Sequence, residues 1–203
     1  MAVEPLDDRS FAGYRRKLIE QIRERGVEDL AILQLFDRIP RHLFLPQGVW
    51  PRAYEDAPIP IGYGQTASQP SLQALYLSVL NPTPDDTVLE IGTGSGFLTA
   101  LLALTADRVY SIERIRELSV RARSALDQLR TKNVALMVGD GTIGWRKYAP
   151  FDVIVVSAAS PSIPPAFIDQ LSEGGRMLIP VGTRDRQELV LARRENGEIH
   201  EEM

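Results

Sequence analysis

Four stretches of the chain hold the residues that can do chemistry. In Val88-Leu-Glu-Ile-Gly-Thr-Gly-Ser-Gly-Phe97 an apolar run opens into Gly92, Gly94 and Gly96, with Glu90 just ahead of them. Glycines at the end of a strand let the backbone turn tightly and approach a ligand that a Cβ would hold off. The next β-branched run ends at Glu113. That is roughly 20 residues past the first glycine, the offset at which an acid reaches ribose hydroxyls. A third run ends in Val138-Gly-Asp-Gly141, where Asp140 can accept from an adenine amino group. Upstream, Gly64-Gln-Thr-Ala-Ser-Gln-Pro-Ser71 crowds the hydroxyls of Thr66 and Ser68 between two amides with no charge, histidine or cysteine among them.

The glycine spacing is G-x-G-x-G, not the G-x-G-x-x-G of dinucleotide sites. A carboxylate at Glu90 opposes a pyrophosphate and suits a cationic sulfonium, so S-adenosylmethionine is favoured over NAD. Neutral hydroxyls can hold an oxygen nucleophile by hydrogen bonds, and blunt it less than an arginine would. Pro70 fits the first turn of a helix, whose start can offer backbone N–H groups to an anion. Alternatively, Ser68 serves only as that helix's N-cap.

The elements that must position these residues follow from periodicity. Residues 11–36 read as helix interrupted at Gly26, and the prolines between 38 and 70 exclude a long regular element there. Strands are predicted over 87–91, 108–112, 134–138, 152–157, 176–181 and 188–193, with helices over 96–104, 115–129 and 165–171. That alternation predicts a doubly wound, mostly parallel α/β sheet. We expect one domain over residues 1–203, with 1–80 as an N-terminal cap and substrate segment and 81–203 as the cofactor-binding core. Asn196-Gly197 predicts a type I′ turn, and the dipeptide is prone to deamidate when mobile. Only Glu198 to Met203 remain to return from it, and three of those six are Glu. The final strand is therefore expected to be poor or missing, leaving an incompletely paired edge.

With these residues in view, the chain resembles the protein-L-isoaspartate O-methyltransferase family of class I S-adenosylmethionine-dependent methyltransferases. The resemblance is carried by Pro40-Arg-His-Leu-Phe-Leu-Pro46, Pro58 to Pro70, Leu89 to Phe97, Gly139 to Trp145, Ala149 to Ala159 and Gly174 to Gly182. Ala67 stands where a larger aliphatic residue is expected. The resemblance implies methyl transfer to the α-carboxylate of isoaspartyl residues in damaged peptides and proteins. It implies Ser68 as the active-site serine and places Thr66, Gly92, Glu113, Asp140, Gly141 and Gln187 at or near the cofactor. Two other readings share part of this pattern: a class I methyltransferase acting on a small-molecule or RNA nucleophile, and a non-catalytic cofactor-binding module.

Composition limits the field further. The formal charge is −4 over 203 residues, with 23 basic and 27 acidic side chains, so bulk electrostatics favour neither nucleic acid nor an anionic membrane. No cysteine is present, which removes thiolate nucleophiles, disulfides and Cys-based metal sites. No metal is expected. The start lacks the basic and apolar parts of a signal peptide, and the longest apolar run is too short to cross a bilayer. A cytoplasmic monomer is expected.

Overall fold

The computed structural model describes residues 11–183 and 186–202. Two helices open the described chain, α1 (Ala12–Glu24) and α2 (Leu30–Arg38). They part where Gly26 takes φ +95°, and Asp29 caps α2 by accepting from the Ala31 and Ile32 amides. Two 3₁₀ turns and a short hairpin, β1 (Ile59–Gly62) and β2 (Gln65–Ala67), fill the proline-rich stretch. Helix α3 (Pro70–Leu80) then leads into the sheet.

The sheet is built from β3 (Thr87–Ile91), β4 (Arg108–Glu113), β5 (Val134–Val138), β6 (Phe151–Val156), β7 (Leu171–Gly182), β8 (Gln187–Glu195) and β9 (Glu198–Glu202). Helices α4 (Phe97–Ala103), α5 (Arg116–Gln128) and α6 (Pro165–Gln170) lie between strands. The spatial order is β5-β4-β3-β6-β7-β8-β9, parallel from β5 to β7 and antiparallel thereafter. After β5 the chain returns to the far side of β3, so the winding reverses between β3 and β6. The carboxyl ends of those strands form the crevice where such sheets bind ligands.

Side chains alternate between two cores, as strand geometry requires. Val88, Val109, Val153 and Val155 face the core shared with the N-terminal segment, α4 and α5. Leu89, Ile91, Tyr110, Ile112, Ile154 and Val156 face the second core, packed with Phe167 of α6. At the amino ends, Arg176 of β7 clamps the entry to β3. It donates to both oxygens of Asp86 (2.7 and 3.2 Å) and to the Leu80 and Asn81 carbonyls.

Two sequence expectations change. Strand β7 begins five residues earlier than predicted, directly at the end of α6, with its early register against β6 shifted. Gly174 at φ +75° and Gly175, whose Cβ would lie 2.7 Å from the Ser172 carbonyl, let the strand bend through this irregular start. A return strand does form where a poor or missing one was expected. Glu198–Glu202 pairs with β8 from Glu195↔Glu198 to Leu191↔Glu202. Asn196 at φ +54° and Gly197 at φ +80° form the turn that sets this register. The return strand need not be apolar because it is an edge: Ile199 touches the core, and the glutamates stay in solvent.

Candidate active site

A cavity of about 440 Å³ opens over the carboxyl ends of β3 and β4. That is within the range of small-molecule sites. Thr66 and Ser68 form one wall, Gly92 and Gly94 the floor, and Glu113, Asp140 and Gly141 the opposite side. These seven predicted residues come from four separate segments and meet in one space. Glu90, Gly96 and Gln187 do not line it.

The floor exists because the glycine loop folds back on β4. Gly92 takes φ +92° and donates its N–H to the Ile112 carbonyl at 2.8 Å. The Gly94 N–H donates to Glu113 Oε2 at 2.8 Å, and the Ile115 N–H to Glu113 Oε1 at 2.9 Å. Glu113 is only 6% exposed. Each carboxylate oxygen therefore carries one backbone bond and keeps acceptor capacity toward the cavity. On the same rim, Asp140 accepts through Oδ1 from the Thr142 amide and hydroxyl, which hold its carboxyl below the usual range. Its other oxygen accepts no hydrogen bond among the described residues.

Gly96 serves packing. It has φ +87°, and a Cβ there would lie 2.8 Å from Ala122 Cβ, so its role is to bring α4 against α5. Gln187 sits across from Gly182 in the β7–β8 pairing, exposed and outside the cavity.

Glu90 occupies a core position. It lies beside Ser111 in the β3–β4 register, on the face covered by α4, and is 0% exposed. Oε2 accepts from Thr99 Oγ1 (2.5 Å) and Ser111 Oγ (2.6 Å), while Oε1 has no hydrogen-bond partner. Burial raises its pKa to about 7, against the lowering effect of the two hydroxyl bonds. Thr93 Oγ1 lies 2.6 Å from Ser111 Oγ, so a chain of polar groups runs from α4 through the carboxyl to the glycine loop. Direct contact between Glu90 and a sulfonium is excluded by this geometry; the residue supports the loop from below.

The Ser68 wall is held from both sides. Arg41, 1% exposed, donates from Nη1 to the Ala53 carbonyl (2.5 Å) and from Nη2 to the Ser68 carbonyl (3.1 Å). Its guanidinium carbon lies 5.7 Å from the centre of the Phe97 ring, and burial pushes its pKa down to about 10. On the other side Asp56 accepts from Gln69 Nε2 (3.0 Å) and the Ser71 amide (2.8 Å) and pairs with Arg25 at 3.1 Å. Burial alone would raise the Asp56 carboxyl, but these bonds more than offset it and hold it low.

The alternative N-cap role for Ser68 is removed, and one expectation for this wall is corrected. The N-cap of α3 is Gln69, with no side-chain cap bond, so the Ser68 hydroxyl is not a cap. Asp56 already takes the Ser71 amide, so that N–H is not free for an anion.

Sequence reasoning missed Arg41, Asp56 and Gln73. Gln73 of α3 is 5% exposed, lines the cavity, and has an unpartnered Oε1. Its signal was a single amide inside the otherwise apolar Leu72-Gln-Ala-Leu-Tyr-Leu run.

Comparisons with known proteins show the family. The family model described as Protein-L-isoaspartate(D-aspartate) O-methyltransferase matches residues 14–203. A Protein-L-isoaspartate O-methyltransferase of Syntrophus aciditrophicus is 50% identical over 192 residues, covering 94% of this chain and 88% of that protein. Protein-L-isoaspartate O-methyltransferase 2 of Geotalea uraniireducens is 47% identical over 190 residues, covering 93% and 88%. A solved protein-L-isoaspartate O-methyltransferase superposes with a TM-score of 0.80 at 32% identity, covering 90% of this chain and 60% of that one. A Plasmodium falciparum structure described under the same activity, in complex with S-adenosyl-L-homocysteine, gives a TM-score of 0.80 at 24% identity with 92% of both chains covered. The last of these bears on the fold alone.

Proposed function

The chain belongs to the protein-L-isoaspartate (D-aspartate) O-methyltransferase family and is an S-adenosylmethionine-dependent methyltransferase of isoaspartyl residues, and from that premise we propose the roles of its residues. S-adenosylmethionine supplies, when bound, an electrophilic methyl group on a sulfonium. The cavity fits it: a largely buried carboxylate with spare acceptor capacity faces a floor that side chains cannot occupy. A Cβ on Gly141 would lie 2.6 Å from Ile91 Cγ2, and Gly92 and Gly94 hold positive φ. Glu113 takes the ribose hydroxyls, Asp140 accepts from the adenine amino group through its free oxygen, and the unpartnered amide of Gln73 faces the same space.

Ser68 and Thr66 hold the substrate carboxylate. Neither has to move a proton, because the nucleophile is already ionised at neutral pH. What the wall contributes is alignment, and near-attack geometry of this kind is worth up to about 7–11 kcal/mol. Ala158 and Ala159 line the same rim, where short side chains leave backbone open to an extended, sequence-tolerant peptide. No helix among the described residues is long and apolar enough to cross a membrane. We read the chain as a cytoplasmic monomer acting on damaged proteins rather than on nucleic acid.

The observation that carries the Ser68 assignment is a backbone fixed on both flanks beside a hydroxyl that makes no hydrogen bond among the described residues. Methyl transfer from S-adenosylmethionine to an isoaspartyl peptide tests it. Ser68→Ala should lower kcat at least about tenfold, the loss of one bond to a charged group, with the melting temperature unchanged. Activity lost only in proportion to folded protein would remove the role.

A further inference from the structure

We propose that Asn196 is a latent modification site of this chain and that Glu173 holds it closed. The chain has three asparagines. Asn81 precedes Pro82, whose nitrogen carries no hydrogen and cannot attack. Asn133 precedes β-branched Val134, and its Nδ2 donates to the carbonyls of Ala103, Ala106 and Asp107 at 2.9–3.1 Å. Asn196 precedes Gly197, and both are exposed at the tip of the β8–β9 turn.

Deamidation there has a defined course. The Gly197 nitrogen bonds to Asn196 Cγ, the Cγ–Nδ2 bond breaks, and Nδ2 leaves as ammonia with the proton that Gly197 gives up. Water then opens the cyclic imide at either carbonyl, yielding aspartate or isoaspartate. The step requires a free Gly197 nitrogen able to lose its proton.

In this structure that nitrogen is engaged. Glu173, near the start of β7, accepts from the Asn196 amide through Oε1 and from the Gly197 amide through Oε2 at 3.1 Å. Arg194 holds the carboxylate from the side, with Nε 3.8 Å from Oε2, while its Nη1 donates to the Ile168 and Leu171 carbonyls. A carboxylate at the Gly197 N–H opposes deprotonation electrostatically and ties the nucleophile away from Cγ. The same dipeptide that makes the turn is thus guarded by a residue from another strand. If the guard is lost, the isoaspartate formed is an acceptor for a second copy of the enzyme. That last step rests on the function proposed above; the guarding does not.

The experiment ages wild type, Glu173→Gln and Glu173→Ala together at neutral pH and elevated temperature, and maps residues 195–202 by mass. Hydrogen exchange of the β9 amides establishes that the hairpin persists in each. Deamidation should quicken about fivefold or more in Glu173→Ala, the factor for one exposed hydrogen bond of about 1 kcal/mol. Glu173→Gln, which keeps one acceptor, should fall between. Equal rates in all three with the hairpin intact would overturn the proposal, as would acceleration that appears only when β9 exchange shows the hairpin open. Aged Glu173→Ala is then offered to fresh enzyme beside a free isoaspartyl peptide. Methylation of the peptide but not of the aged protein refutes the acceptor step alone; methylation of neither refutes the proposed activity.

Discussion

Arg41→Met separates alignment from stability. Met preserves most of the buried stem and removes the guanidinium. Two carbonyls, Ala53 and Ser68, lose their donors, at about 1–3 kcal/mol for each buried group left unpaired. Against that, a charge no longer has to be buried. Burial lowers the Arg41 pKa to about 10, and at about 1.4 kcal/mol per pKa unit that depression costs the native state roughly 3 kcal/mol. The net loss is therefore at most about 3 kcal/mol, a fall of no more than roughly 10 °C in Tm for a chain of this size. Turnover should suffer more. The Ser68 carbonyl is one peptide away from the Gln69 fixed by Asp56, so freeing it lets the hydroxyl drift, and misplacement by about 1 Å can cost 10²-fold. We expect kcat on an isoaspartyl peptide to fall by about 10–100-fold, with KM for S-adenosylmethionine nearly unchanged because Arg41 touches none of the proposed cofactor contacts. Arg41→Lys, able to reach one carbonyl, should recover part of kcat. Full kcat in Arg41→Met with the expected fall in Tm would show that the arginine is structural only.

Glu113→Gln should weaken cofactor binding by about 1.5–3 kcal/mol in a calorimetric titration, and should also lower Tm because the carboxylate anchors the Gly94 and Ile115 amides; unchanged affinity would remove it from the site. For Glu90, the folded pKa of about 7 lies above its ordinary value of 4.5, so its contribution to stability is present at low pH and lost as pH rises from about 4.5 through 7. Glu90→Gln, which cannot ionise, should therefore gain on wild type between pH 5 and pH 8 by up to roughly 3 kcal/mol in paired denaturant melts, and a pH-independent difference would refute the burial of a titrating carboxyl. Gly96→Ala should destabilise by about 3 kcal/mol or more through overpacking against Ala122 and positive-φ strain, whereas a loss of cofactor affinity with an unchanged melt would return Gly96 to the ligand.

Sequence periodicity revealed the parallel strands because the central ones, β3, β4 and β6, are buried on both faces and read as apolar, β-branched runs bounded by turn residues. The cavity lining was legible for a related reason: Gly92, Glu113 and Asp140 stand at strand ends, where local pattern and position in the fold coincide. Glu90 misled because its neighbours in sequence are glycines, while its neighbours in space are Thr99 and Ser111 on a core face. The offset of Glu90 along β3 carries its direction only if the strand's two faces are assigned first. Arg41 and Asp56 were invisible for another reason: they act on Ser68 and Ser71 from 27 and 15 residues away. Nothing in a proline-rich stretch fixes such pairings. The return strand was legible in its two-residue turn, which determines its register, while its glutamates mark it as an exposed edge.

The cavity is shared out among the ends of β3, β4, β5 and β6 and the hairpin before α3, and so it has no existence in any fragment of the fold. A ligand that needs all of those ends binds the native chain and not the unfolded one. Cofactor at a hundred times its dissociation constant would then add about 2.7 kcal/mol to the native state. That is a large share of the roughly 5–15 kcal/mol by which domains remain folded. The lifetime of this protein is thereby tied to its cofactor supply: when the methyl donor and its demethylated product both run low, the enzyme that repairs ageing chains itself becomes easier to unfold.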